Sequence, residues 1–253
     1  MIGPSRPLFA LFGSSIVELS STYNGWGATL TFLYARKADI FLRGYGGWNS
    51  RKALEIYEKV FPKDAEIHPS LVIIYFGGND SADPNFPYSS YVPLDEYVEN
   101  MRKIVLHIKD LSEKTRLIML SAPAVNEEQI VKTYGVNLGR TNERSKIYAE
   151  AGIKLGEELG VPTIDFFEAL YGQPDVFWDG MHLTAKGSDI LFKKIAKIIK
   201  EAEWEPSLDW DKMPTEFVDI GTDAHLENLI KGTEDNIIGI TKPKSQEINL
   251  ATK

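Results

Sequence analysis

Two distant stretches of the chain carry side chains that belong together chemically. Near the start, "PLFALFGSSIVELSS" runs an apolar segment into Gly13 and then sets two hydroxyls side by side, Ser14 and Ser15, before aliphatic residues resume. Near the end, "VFWDGMHLTAKG" places Asp179 and His182 three residues apart across Gly180. A glycine closing a buried strand, followed by small hydroxyl residues and a new apolar period, describes a sharp strand-to-helix turn that presents a side chain at the sheet edge. The same serines also suit a helix N-cap. An aspartate and a histidine at this spacing let one short turn bring a carboxylate to one imidazole nitrogen while the other nitrogen faces outward, which holds a general base. Taken by itself the stretch is equally an Asp-Gly turn beside a histidine, ahead of a helix starting at Thr184.

Elimination favours the catalytic alternative, because the chain has four histidines. His107 falls on the polar side of an amphipathic helix, beside Asn100 and Lys103, where a solvated surface residue is expected. His68 precedes a proline at the entry to a strand, and His225 lies in the polar tail. Two further strand ends add possible donors. "IFLRGYGGWNSR" brings Gly44, Gly46 and Gly47, and "IIYFGGND" brings Gly77, Gly78 and Asn79. Glycines let backbone N–H groups approach a ligand closely and Asn adds a side-chain donor, so together they can bind an oxyanion. Separately, each is an ordinary turn.

The elements that must position these residues are legible as short apolar runs between segments of helical period. "LFALF", "ADIFLRG", "SLVIIYFGG", "TRLIMLSAP" and "VPTIDFF" read as strands, and their continuity suits a parallel sheet covered on both faces. Leu94, Tyr97, Val98, Met101, Ile104, Val105, Ile108 and Leu111 follow the spacing of an amphipathic helix. Similar periods occur over 26–35, 53–60, 147–159 and 190–199. Alternating strands and helices predict a three-layer α/β/α, flavodoxin-like, doubly wound sheet of five parallel strands in the order 2-1-3-4-5, with chemistry at the carboxyl edge. The expected domain is 1–204. Residues 205–253 read as an ordered strap followed by frayed residues, without an independent core.

Composition narrows the function class. The chain's 253 residues carry 28 basic and 36 acidic side chains, a formal charge of −8, with no basic stripe, so nucleic acid is not an expected partner. Cysteine is absent, which removes disulfides, thiolate metal sites and cysteine nucleophiles. No His-rich or HExxH spacing suggests a metal, and no cofactor is expected. No window approaches a membrane span and the first residues lack a signal-peptide core, so the expected location is cytoplasmic. The Gly-x-Ser-x-Gly elbow of α/β-hydrolases does not fit, since Val17 stands where its second glycine belongs.

Taken jointly, the four blocks resemble those of the SGNH or GDSL hydrolase superfamily of serine esterases and lipases, from residue 8 to about 200. The wording "GGWN" and "YARKAD" is similar to plant GDSL esterases of the isoamyl-acetate-hydrolysing-esterase-like group. The resemblance implies the SGNH hydrolase fold and a small-molecule ester substrate. It assigns the nucleophile to Ser15 within Gly13-Ser14-Ser15-Ile16, the oxyanion glycine to Gly47, the Gly-x-Asn-Asp block to Gly77, Asn79 and Asp80, and the remaining triad members to Asp179 and His182. The implied oxyanion hole comprises the N–H groups of Ser15 and Gly47 and the amide of Asn79. Ser14 departs from the family pattern, standing where an acid is usual. Ile16, Trp48, Phe177 and Trp178 are candidates for an apolar acyl pocket, and "SADPNFPYSSYVP" is a candidate lid or pocket wall. An acyltransferase using the same acyl-enzyme is the nearest alternative. A non-catalytic anion-binding module is another, because a Gly-Ser-Ser turn at a helix start also suits an anion.

Overall fold

The computed structural model describes residues 5–218. Its sheet has five parallel strands: β1 (Leu8–Gly13), β2 (Asp39–Gly44), β3 (Leu71–Tyr75), β4 (Arg116–Leu120) and β5 (Thr163–Ile164). Their order is β2-β1-β3-β4-β5, the order expected from the alternation of strand and helix periods. Every residue of β3 is buried, as a central parallel strand covered on both faces requires. The edge strand β2 is more open, and the Arg43 guanidinium lies over the half-exposed Phe41 ring, putting charge along that edge.

The helices are α1 (Ser15–Glu18), α2 (Trp26–Leu33), α3 (Ser50–Leu54), α4 (Tyr57–Val60), α5 (Leu94–Lys109), α6 (Glu127–Tyr134), α7 (Asn142–Leu159), α8 (Phe166–Leu170) and α9 (Ala185–Glu201). α2 packs with α9, while α5 packs with both α3 and α7. The long α5, α7 and α9 follow the apolar periods closely. The expected 53–60 helix is instead two short pieces, starting earlier because the Asn49 side chain accepts the Lys52 N–H, and interrupted where Ile56 leaves helical angles.

The run "VPTIDFF" is a strand for only two residues. Asp165 ends it by accepting the Glu168 N–H with its side chain, starting α8, and Phe166 and Phe167 are buried from a helix instead of a strand. His107 is not a freely solvated residue: its Nε2 lies 2.7 Å from the Phe61 carbonyl and its ring meets Tyr57 edge-on. Asn100, expected beside it on the polar face, is buried and donates to the Ser50 hydroxyl.

The compact unit runs through Met213, beyond the expected boundary at 204. Leu208, Trp210 and Met213 are buried, the Tyr34 phenol donates to the Leu208 carbonyl, and the Lys37 ammonium to that of Trp210. The expected frayed end, with His225, lies outside the described residues.

The sheet's carboxyl edge is built on a close backbone approach. β1 and β2 finish together at Gly13 and Gly44, and the turn into α1 lies directly over Gly44. A Cβ on Gly44 would stand 2.1 Å from the Glu18 nitrogen and 2.7 Å from the Val17 carbonyl carbon. Gly44→Ala is therefore expected to lower stability by about 1–3 kcal/mol, the range for overpacking, as read from the urea midpoint. An unchanged midpoint would show that the turn rides freely above β2.

Candidate active site

The turn after β1 places both serines. The Ser14 carbonyl accepts the N–H groups of Val17 and Glu18 at 3.0 and 2.9 Å, which starts α1 at Ser15. The Ser14 hydroxyl makes no capping bond, so helix capping does not explain this serine. It is buried against the Tyr75 phenol. Burial pushes that phenol well up from its ordinary value, with the Arg140 charge and the Ser14 hydroxyl acting the other way. The Trp26 indole donates to the Ile16 carbonyl at 3.0 Å and holds α1 in place.

The segment before α9 folds back on itself. Trp178 N–H donates to the His182 carbonyl at 3.0 Å, Thr184 N–H to that of Val176 at 2.9 Å, and Phe177 pairs with Leu183 in an antiparallel bridge. Thr184 caps α9 through Gly187 N–H, as its position suggested. Inside this loop the Asp179 side chain is fully buried. Its Oδ1 accepts the N–H groups of Met181 and His182 at 2.9 and 2.8 Å, and its Oδ2 accepts the Tyr134 O–H at 2.8 Å and lies 2.5 Å from His182 Nδ1. Burial pushes the Asp179 carboxyl up, but the bonds from the His182 ring, the two backbone N–H groups and Tyr134 outweigh it and hold the group well below the ordinary carboxylate range. An ionised carboxylate only accepts, so Nδ1 carries the proton and Nε2 is the free acceptor. Ser15 Oγ lies 3.0 Å from that Nε2.

Gly47 and Asn79 flank the same cavity, of about 430 Å³. Among the described residues, no acceptor takes the N–H of Ser15 or Gly47. The neighbouring Gly46 N–H is bonded to the Glu18 carboxylate. Asn79 is held at both ends of its amide: Nδ2 donates to the Trp48 carbonyl at 2.7 Å, and Oδ1 accepts from Arg140 Nη2 at 2.6 Å. One amide hydrogen remains for a ligand. Arg140 also donates to the Gly78 carbonyl, and burial pulls its guanidinium down from its ordinary value.

Of the four residues considered for an apolar pocket, Ile16 alone lines the cavity. Trp48 stacks on Tyr45, Phe177 is core, and Trp178, 56% exposed, stacks on the His182 ring at 5.4 Å. No residue of 81–93 reaches the cavity, so that loop is neither wall nor lid in this state. Its Ser90 hydroxyl instead supports the Asn79 carbonyl, while Pro123, Val125 and Met181 supply the apolar wall. His68 lines a separate groove with Phe61 and Leu8. Tyr134, Arg140 and Glu18 are site residues that no motif marked. The only local signs were the Asn126 and Gly135 that bracket α6.

The chain matches the model of the GDSL-like Lipase/Acylhydrolase family over residues 11–190. It is 52% identical over 222 residues to the GDSL esterase/lipase WDL1 of Oryza sativa subsp. japonica, covering 85% of each chain. It is 31% identical over 204 residues to the isoamyl acetate-hydrolyzing esterase 1 homolog of Homo sapiens, covering 77% of this chain and 82% of that one. Its fold is similar to the crystal structure of a lipase/acylhydrolase from Enterococcus faecalis, with a TM-score of 0.61 at 19% identity over 77% of this chain and 95% of that one. The chain therefore belongs to the GDSL-like lipase/acylhydrolase family, on the SGNH hydrolase fold. It is a carboxylic ester hydrolase. Among the described residues no cluster of His, Asp or Glu is placed to hold a metal ion, and no helix is long and apolar enough to cross a membrane.

Asp80, which follows Asn79, braces the site from below. It is fully buried and accepts the N–H groups of Ser50 and Gly77 at 2.9 and 3.1 Å, yet burial pushes its carboxyl up from 3.8 to about 6. A raised folded-state value means that the folded protein binds the proton more tightly. Asp80 therefore costs stability increasingly as pH rises from about 4 to 6, opposite in sign to Asp179, whose stabilisation is lost as pH falls through its depressed value. Relative to Asp80→Asn, the native protein is expected to lose on the order of 2 kcal/mol between pH 4 and pH 6.5 in urea titrations. A difference that stays flat over this range would refute the assignment.

Proposed function

We propose that the protein hydrolyses small carboxylic esters through an acyl-enzyme, with Ser15 as nucleophile, His182 as general base and then general acid, and Asp179 as the group that fixes the imidazole. Ser15 Oγ attacks the ester carbonyl carbon as its proton passes to His182 Nε2. The tetrahedral oxyanion takes hydrogen bonds from the N–H groups of Ser15 and Gly47 and from the free amide hydrogen of Asn79. When the intermediate collapses, the C–O bond to the alcohol breaks and the imidazolium gives its proton to the leaving oxygen. Water then adds to the acyl group, His182 takes its proton, and the acid departs as Ser15 regains its hydrogen.

The observation that carries this reading is the unbroken chain of contacts from Ser15 Oγ through the imidazole to a buried carboxylate, 3.0 and 2.5 Å, opening onto a cavity with unbonded N–H groups. The cavity's size favours a compact acyl group. The name of the human relative points the same way, since isoamyl acetate is an ester of a short acid.

A fluorophosphonate probe and turnover of an acetate ester test the assignment. Labelling is expected at Ser15, and Ser15→Ala or His182→Ala is expected to lower kcat by about 10⁴-fold or more, the double variant being little worse than either alone. Asn79→Ala is expected to cost on the order of 10²–10³ in kcat. Near-normal turnover in Ser15→Ala, with loss in Ser14→Ala, would move the nucleophile by one residue.

A further inference from the structure

The helix α6 takes no part in the proposed chemistry, yet three bonds tie it to the loop that carries it. Asn126 N–H donates to the Gly180 carbonyl at 2.8 Å, Gln129 Nε2 to that of Phe177 at 3.0 Å, and the Tyr134 O–H to Asp179 Oδ2 at 2.8 Å. The contact is close enough to exclude a side chain at Gly180, where φ is +96° and a Cβ would meet Ile130 Cγ1 at 2.6 Å. Asn126 starts the helix, its side chain accepting the Gln129 N–H, and Gly135, at φ +78°, ends it immediately after Tyr134. Tyr134 is 43% exposed, so core packing does not explain it. Of the three bonds, only that of Tyr134 reaches a charged atom.

We propose that Tyr134 is a positioning residue of the hydrolytic site, sharing one oxygen of Asp179 with the imidazole Nδ1–H and thereby setting how much negative charge that oxygen offers to a protonated His182. The inference rests on the assignment of His182 as the base. A carboxylate oxygen that accepts two donors divides its charge between them, and removing one strengthens its hold on the other. Without the phenol, His182 keeps its proton to higher pH and the fraction of competent base at a given pH falls. The other titratable or charged groups on this side are Ser15 at Nε2 and, around the cavity, Glu18 of α1, Tyr75 of β3 and Arg140 in the connection before α7, with the Trp178 ring stacked on the imidazole. Tyr134→Phe leaves all of them in place.

The test follows two midpoints in the native protein and in Tyr134→Phe: the acid limb of kcat/KM for an acetate ester, and the titration of the His182 ring by NMR. Both are expected to move up by about half a unit to one unit, with KM little changed. A fall in the plateau rate or in Tm with both midpoints unmoved would mean a purely structural role and would overturn the proposal. In an Asp179→Asn background the same substitution should leave the imidazole midpoint where it was, because no carboxylate charge is left to redistribute, and a shift of equal size there would also overturn it. The NMR titration needs no turnover, so a protein that hydrolysed none of the esters tried would count against the assigned reaction while the phenol's effect on His182 was still decided.

Discussion

A fully buried carboxylate survives as an ion only when its lone pairs are occupied, and Asp179 is where this protein meets that demand most completely. Two donors come from the backbone of its own loop, one from the imidazole three residues on and one from a separate helix. The backbone pair bends the chain tightly enough to bring the ring of His182 over the carboxylate. The ring bond fixes the tautomer, and the fixed tautomer leaves Nε2 free to face Ser15. The direction in which Nε2 faces is thus a consequence of satisfying one buried charge.

The opposite wall of the cavity is organised by the same kind of necessity. Gly13 and Gly44 let the turn of α1 settle onto the sheet edge, placing Ser15 within reach of the imidazole. Asn79 cannot rotate its amide without breaking the bonds to Trp48 and Arg140 at its two ends. Beneath it Asp80 holds the N–H groups of Gly77 and Ser50, tying the end of β3 to the start of α3. Under the proposed reaction, donors held this firmly would not have to reorganise as charge develops, which is the main contribution an oxyanion site makes.

How much of this was legible in the sequence depended on whether the signal was local. The five apolar runs and their order were legible because parallel strands buried on both faces must be continuously apolar. The turns around Ser15, Asn79 and His182 were legible because glycine, asparagine and aspartate at strand ends have few other uses there. β5 is shorter than expected since "VPTIDFF" is largely apolar, and only Asp165 marks the change from strand to capped helix. α6 escaped notice because it buries a single side chain, Ile130, too little for any periodic signal. Tyr134 and Arg140 act across 45 and 61 residues, through contacts that only the folded chain brings about. The aromatic residues beside the motifs proved to be packing or a stacking surface, since adjacency in sequence to a motif does not decide which way a side chain turns.

Ser14, the departure from the family's usual acid, fits the electrostatics of its surroundings. The position is almost completely buried against the Tyr75 phenol, which itself lies within the influence of Asp80 and Arg140. Arg140 is the cation in this cluster: Nη1 donates to the Gly78 carbonyl and Nη2 to the Asn79 amide, while its buried Nε has no partner among the described residues. Asp80 already has its carboxyl pushed up by burial to about 6 despite several hydrogen bonds. A second acid at position 14 would have to be desolvated in these buried surroundings, and an unpaired buried charge is among the most costly defects a fold can carry. A hydroxyl bonded to a neutral phenol avoids that cost.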